Sequence, residues 1–160
     1  MQRILIVSDT HGRLRNFQEM LRRAGTPDRL IHLGDSEGQH RKIEELANCP
    51  VDIVRGNCDY SQELPREKEI LIGDYRVFLT HGHRYQANFG TETLVDAGLS
   101  RKADIVMFGH THVPLLQQRR GIMLVNPGSL SQPRQDGFAY TYILMELDRE
   151  GEAHYTLCRL

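Results

Sequence analysis

Ile4-Leu5-Ile6-Val7-Ser8-Asp9-Thr10-His11-Gly12 opens on four apolar residues and stops on a carboxylate, a hydroxyl and an imidazole. The apolar run, taken with Arg3, reads as a buried strand. The helix after it is marked by Leu14, Phe17, Leu21 and Ala24, which recur at the spacing of one helical face. The same alternation follows, with a strand at Arg29–Leu33, a helix from Gln39 to Ala47 and a strand at Val51–Val54, and such alternation favours parallel pairing. Glu69–Ile72 and Arg76–Thr80, separated by Gly73-Asp74, then read as a tight hairpin. Thr91–Ser100 reads as a helix and Asp104–Phe108 as a strand, and Leu115–Gln118 is expected to pair with Ile122–Val125. Phe138–Glu146 and Ala153–Cys158 form a last hairpin around Asp148–Gly151. The expected architecture is α/β: a four-layer αββα sandwich of two mixed β-sheets flanked by helices, in a single domain spanning residues 1–160.

Composition supports one such domain and narrows the function. At 160 residues the chain is long enough for one core and short for two. Its net charge of -1 supplies no electrostatic case for a nucleic-acid partner. The apolar run Ile4–Val7 is too brief for a signal-peptide core or a membrane span, so a cytoplasmic location without a membrane partner is expected. Cys49, Cys58 and Cys158 are odd in number and form no CxxC pair, which argues against a disulfide framework or a thiolate zinc site.

Five apolar runs end in polar groups able to bind metal. After Ile4–Ser8 come Asp9 and His11; after Leu30–Leu33 comes Gly34-Asp35; after Val51–Arg55 comes Gly56-Asn57-Cys58-Asp59. Val77–Thr80 leads to His81-Gly82-His83, and Ile105–Phe108 to Gly109-His110-Thr111-His112. Ligands of open α/β sheets collect beyond the carboxyl ends of strands, so the five ends are expected to converge on one crevice. Asp9 and His11, like His110 and His112, are two apart and would share a face of an extended segment. The glycines at these exits permit sharp turns and close backbone approach. Carboxylates, imidazoles and one amide oxygen suit manganese, iron, cobalt, nickel or zinc better than calcium.

The ordered set of Asp9-Thr10-His11, Gly34-Asp35, Gly56-Asn57, His81-Gly82 and Gly109-His110-Thr111-His112 resembles the calcineurin-like metallophosphoesterases. The likeness covers Asp9 to His112. Asn126-Pro127-Gly128-Ser129 with Pro133-Arg134 further resembles a loop of the small prokaryotic phosphodiesterase branch. The resemblance implies a two-sheet sandwich and a dinuclear phosphodiesterase acting on a small phosphorylated substrate, with possible monoester activity. It places Asp9, His11 and His112 on one metal, Asn57, His81 and His110 on the second, and Asp35 between them. Manganese is the expected ion, with nickel, iron, cobalt and zinc as alternatives. Such ions, about 3.5–4 Å apart, hold a bridging hydroxide and clamp the phosphoryl oxygens. A protein-binding scaffold is the rival reading, because a eukaryotic retromer subunit resembles this fold; the complete ligand set favours the enzyme. Nucleases of the superfamily typically carry further segments for which this chain has no room.

One departure stands out. Many family members have an acid histidine directly after the Gly-Asn asparagine, where this chain has Cys58. A thiol with a pKa near 8.5 is a poorer proton donor to a leaving group than an imidazolium, and a small packing residue is the alternative reading. Asp59 either orients His11 or another ligand, or caps its own turn. Ser129 and Arg134 are candidate contacts to a substrate phosphate, against the plainer reading of a solvated loop. His83 is left out of the ligand set, and Arg13, Arg15, Arg22 and Arg23 are read as the wet face of a helix. The hairpin edges leave a homo-oligomer open.

Overall fold

Two five-stranded sheets, packed face to face with helices outside them, account for the expected strand and helix alternation in a computed structural model that describes residues 1–160. The first sheet runs in the order β10-β9-β1-β2-β3, built from β1 (Gln2–Val7), β2 (Arg29–His32), β3 (Val51–Ile53), β9 (Thr141–Leu147) and β10 (Ala153–Arg159). The second runs β4-β5-β6-β8-β7, from β4 (Glu67–Ile72), β5 (Tyr75–Thr80), β6 (Ile105–Met107), β7 (Leu115–Arg119) and β8 (Ile122–Asn126). β1, β2 and β3 pair in parallel, as do β5, β6 and β8, while hairpin partners run antiparallel. Both sheets are therefore mixed.

Three apolar layers hold the sandwich together. Ile4, Ile6, Ile31 and Leu33 of the first sheet meet Val77, Leu79, Ile105 and Met107 of the second. Alternate residues of the same strands, Leu5, Val7 and Leu30, face the other way and receive Phe17 and Met20 of α1 (Arg15–Ala24) and Ile43 of α2 (His40–Ala47). Phe78, Val106 and Leu124 do the same for Leu94 and Val95 of α3 (Glu92–Ser100). Each such fully buried side chain contributes about 1.5–3 kcal/mol. α3 lies so close to its sheet that a methyl group at Gly98 would stand 2.6 Å from Val106 Cγ2, which explains a glycine inside a helix.

Boundaries differ from the sequence reading where apolar pattern and hydrogen bonding part company. β4 begins at Glu67 rather than Glu69: it is an edge strand, and its polar start pairs with β5 while Glu67 accepts from the Tyr85 hydroxyl at 2.7 Å. β9 begins at Thr141 rather than Phe138, a residue that sits at φ 48° and is 70% exposed. Two short 3-10 turns, His83–Tyr85 and Ala87–Phe89, bridge β5 to α3. No helix is long and apolar enough to cross a membrane.

Candidate metal centre

β1, β2, β3, β5 and β6 all point their carboxyl ends to one edge of the sandwich, and the residues that follow them meet there. Their convergence does not use extended backbone. Asp9, His11, Asp35, His110 and His112 have φ between 46° and 69°, so a left-handed turn, not a shared strand face, aims each side chain inward. This corrects the expected geometry of the Asp9/His11 and His110/His112 pairs. Left-handed conformation at a residue with a Cβ costs of order 1–3 kcal/mol and persists where the surroundings enforce it. Here His11 N–H donates to the Asp35 carbonyl at 2.9 Å and Asp9 N–H to the Gly34 carbonyl at 3.0 Å.

Asp9 Oδ1 stands at the centre, 3.0 Å from His112 Nε2, 3.5 Å from His11 Nε2 and 3.8 Å from His81 Nε2. Asp35 Oδ2 lies 3.2 Å from His81 Nε2 and 3.8 Å from His11 Nε2, which ties the two groups of donors together. The His110 ring is 5.1 Å from that of His81, and its backbone N–H donates to Asp9 Oδ2 at 3.0 Å. Asn57 is exposed at the same edge, with its amide 3.4 Å from Cys58 Sγ.

Partners behind the rings fix which nitrogen faces inward. His81 Nδ1 lies 2.7 Å from the Leu33 carbonyl, His112 Nδ1 2.6 Å from the Gln132 carbonyl and His11 Nδ1 2.8 Å from Glu37 Oε1. Carbonyls and carboxylates only accept, so each Nδ1 carries hydrogen and each Nε2 of a neutral ring turns a lone pair inward. His11 Nε2 and His112 Nε2 face each other at 3.1 Å, and the buried atoms Asp9 Oδ1 and His81 Nε2 have no hydrogen-bond partner. Acceptors crowded this closely need positive charge among them. Asp9 with His11 and His112, and Asp9 with Asp35 and His81, each form a group whose ligand atoms lie within 4.8 Å of one another. The donor set therefore fits divalent metal ions.

The carboxylates and imidazoles shift one another's titration. The Asp9 carboxylate, 3.5 Å from its Nε2, lifts His11 to about 9 against its burial, with Glu37 adding to the rise. Burial pushes His81 down, but Asp35 and Asp9 overrule it and leave the ring above its ordinary value. Burial would likewise raise Asp9, yet His11 and His112 hold it far below the usual carboxylate range. His110, lowered to about 4 by burial and the neighbouring His81, stays neutral and able to ligate.

Residues 2–150 match the family model of the calcineurin-like phosphoesterase superfamily domain. The chain belongs to that superfamily. The probable metallophosphoesterase YsnB of Bacillus subtilis is 33% identical over 82% of this chain and 76% of its own length. Phosphodiesterase YfcE of Escherichia coli K12 is 32% identical over 84% of this chain and 82% of its own. A Streptococcus pneumoniae TIGR4 structure described as a predicted phosphoesterase superposes with a TM-score of 0.80 at 29% identity, covering 99% of this chain and 98% of that one. The sandwich is thus the calcineurin-like fold, and the chain is a phosphoesterase of a family that uses divalent metals.

For this metallophosphoesterase the structure revises several sequence readings outside the metal-binding set. Asp59 makes no contact with His11 but does contact another predicted ligand, Asp35, and its own turn at Gly56, so both of its other readings hold. Its Oδ2 accepts from the N–H groups of Asp35 and Gly56 at 2.7 and 2.8 Å, and its Oδ1 from the Glu37 N–H at 2.7 Å and the Ser36 hydroxyl at 3.1 Å, so it clamps the Gly34 and Gly56 loops together. Glu37, which carried no sequence signal beyond its distance from Asp35, braces His11 instead. Ser129 is not free to meet a substrate: it is fully buried, and its hydroxyl donates to the Asp9 carbonyl at 2.8 Å while accepting from the N–H groups of Ser131 and Gln132. Arg134 is exposed and anchored through its backbone N–H to the His112 carbonyl at 3.1 Å. Cys58 donates its backbone N–H to Asp35 Oδ1 at 2.8 Å, and burial, reinforced by the Asp35 charge, pushes its thiol up to about 11. Asn88, on the second 3-10 turn, places its amide 3.0 Å from His110 Nε2, a contact that no spacing rule announces.

Proposed function

We propose that this protein is a dinuclear phosphodiesterase that hydrolyses a small phosphate ester, with manganese as the ion of first choice and monoester hydrolysis as a lesser activity. The observation that supports the reading is the crowding of inward-facing ligand atoms, Asp9 Oδ1 with Nε2 of His11, His81 and His112, of which the buried Asp9 Oδ1 and His81 Nε2 have no hydrogen-bond partner. Asp9, His11 and His112 would hold one ion, Asn57, His81 and His110 the other, and Asp35 would serve both. Two such ions supply an activated water and positive charge for the phosphoryl oxygens. Glu37, Leu33 and Gln132 keep the imidazoles aimed, and Asp59 fixes the Asp35 loop. Arg134, exposed and tied by its backbone N–H to the His112 carbonyl, would take a non-bridging phosphate oxygen. Cys58 leaves the departing alcohol with weak proton donation. The diester preference draws support from the likeness to phosphodiesterase YfcE.

Hydrolysis of bis-p-nitrophenyl phosphate and p-nitrophenyl phosphate by metal-stripped protein, titrated with manganese beside an Asp35→Asn control, tests the reading. Manganese-dependent release, faster for the diester and lost in the control, is the expected result. Full metal occupancy without turnover of either ester would refute it and turn attention to a scaffold role.

A further inference from the structure

Beside Asn57 and His83 a concavity of 460 Å³ opens, lined also by Arg55, Arg66 and Arg84. Its volume lies in the range of small-molecule clefts, roughly 300–1,000 Å³. Three separate segments build it. Arg55 leaves β3 directly before Gly56, and its backbone N–H donates to the Pro65 carbonyl at 2.7 Å, which brings Arg66 alongside; Arg84 follows His83 on the first 3-10 turn. The His83 ring stands 5.4 Å from His81 and 6.0 Å from His110, so the concavity adjoins the candidate metal centre.

Its arginines are short of counter-charge. The Arg55 guanidinium donates to the neutral Gln62 Oε1 at 3.2 Å, and neither Arg55 nor Arg66 has a carboxylate within 4.0 Å. Arg84 reaches Glu67 at 3.6 Å, but Glu67 already serves Arg101 at 3.1 Å and the Tyr85 hydroxyl at 2.7 Å. Asp59, the one acid in the lining, has both oxygens filled by backbone N–H groups and the Ser36 hydroxyl. The chain as a whole carries a net charge of -1, so this local excess of positive charge is a feature of the place and not of the composition. Guanidinium groups converging on a cleft match the planar, bidentate geometry of a phosphate.

Resting on the phosphodiesterase reading, we propose that the Arg55/Arg66/Arg84 concavity binds a second phosphate of the substrate, so that the natural ester carries one phosphate outside the scissile bond. The metal centre takes the scissile group while Arg55 and Arg66 select for molecules bearing another. Adenosine 3′,5′-bisphosphate and adenosine 5′-monophosphate differ by one phosphate and serve as probes. Calorimetric titration of the manganese-loaded protein is expected to show the bisphosphate binding about tenfold more tightly. In the Arg55→Gln/Arg66→Gln double variant that preference falls below about twofold, whereas Arg149→Gln, in the distant β9–β10 turn, retains it. Equal affinity for the two nucleotides in the parent protein, or a preference that survives the double substitution, overturns the proposal. Turnover of bis-p-nitrophenyl phosphate by the same preparation is scored separately: its absence refutes the phosphodiesterase reading, while the affinity ratio still decides whether the concavity selects a second phosphate.

Discussion

Gly56→Ala puts the geometry of the centre to a direct test. A Cβ at this position would stand 2.0 Å from Asp35 Oδ1, 2.6 Å from the Asp35 nitrogen and 2.7 Å from its Cγ. Carbon and oxygen do not approach within 3.0 Å, so the carboxylate must retreat by about 1 Å, several times the tolerance of about 0.2 Å for a metal ligand. It cannot swing freely, because Asp35 N–H is fastened to Asp59 and Asp35 Oδ1 to the Cys58 N–H. Overpacking together with a weakened charged hydrogen bond costs about 2–4 kcal/mol, a fall in Tm of about 10 °C for a domain of this size. Manganese affinity, read by calorimetry, is expected to fall about 100-fold. Gly137→Ala is the control: that glycine also has positive φ, at 84°, but nothing lies within 4 Å of its Cβ, so it loses stability and keeps its metal. Manganese affinity of Gly56→Ala within threefold of the parent would show that Asp35 is not held against this backbone, or does not bind the ion.

Two further outcomes follow from the charges around the site. In metal-stripped protein the raised His11, near 9, contributes stability that is complete below its unfolded value of 6.5 and is lost as pH rises to about 9. His32 and His110, lowered to about 4, contribute stability present above 6.5 that is lost as pH falls toward 4. The Tm of the stripped protein should therefore peak near pH 6.5, with the alkaline decline removed by saturating manganese; a Tm that climbs steadily from pH 6.5 to 9 without metal contradicts the assignment. At Cys58, a thiol near 11 gives little help to a departing alcohol, so Cys58→His is expected to raise turnover of phenyl over p-nitrophenyl esters by about tenfold. An unchanged ratio of the two rates would show that this position does not protonate the leaving group.

The sandwich was legible in the sequence because strand and helix periods are local: Ile4–Val7 and the Leu14/Phe17/Leu21 stripe declare a strand and a helix within a dozen residues. So was the meeting of Asp9, His11, Asp35, His81 and His112 at one edge, since each follows an apolar run and the run itself fixes which edge of the sheet it reaches. Tertiary structure alone decided how those residues are aimed. Left-handed turns at Asp9 and His11 replace the extended backbone that a two-residue spacing suggests, because the Gly34 and Asp35 carbonyls of a neighbouring loop capture their N–H groups. The same holds for the acceptors behind the imidazoles: the carbonyls of Leu33 and Gln132 belong to residues whose side chains have no part in the contact, and so carry no mark in the sequence. Arg55, Arg66 and Arg84 lie apart in the sequence, and they line one cleft only because three segments fold against one another. Local pattern determines which elements form and which chemical groups end them, whereas long-range hydrogen bonds determine where those groups point.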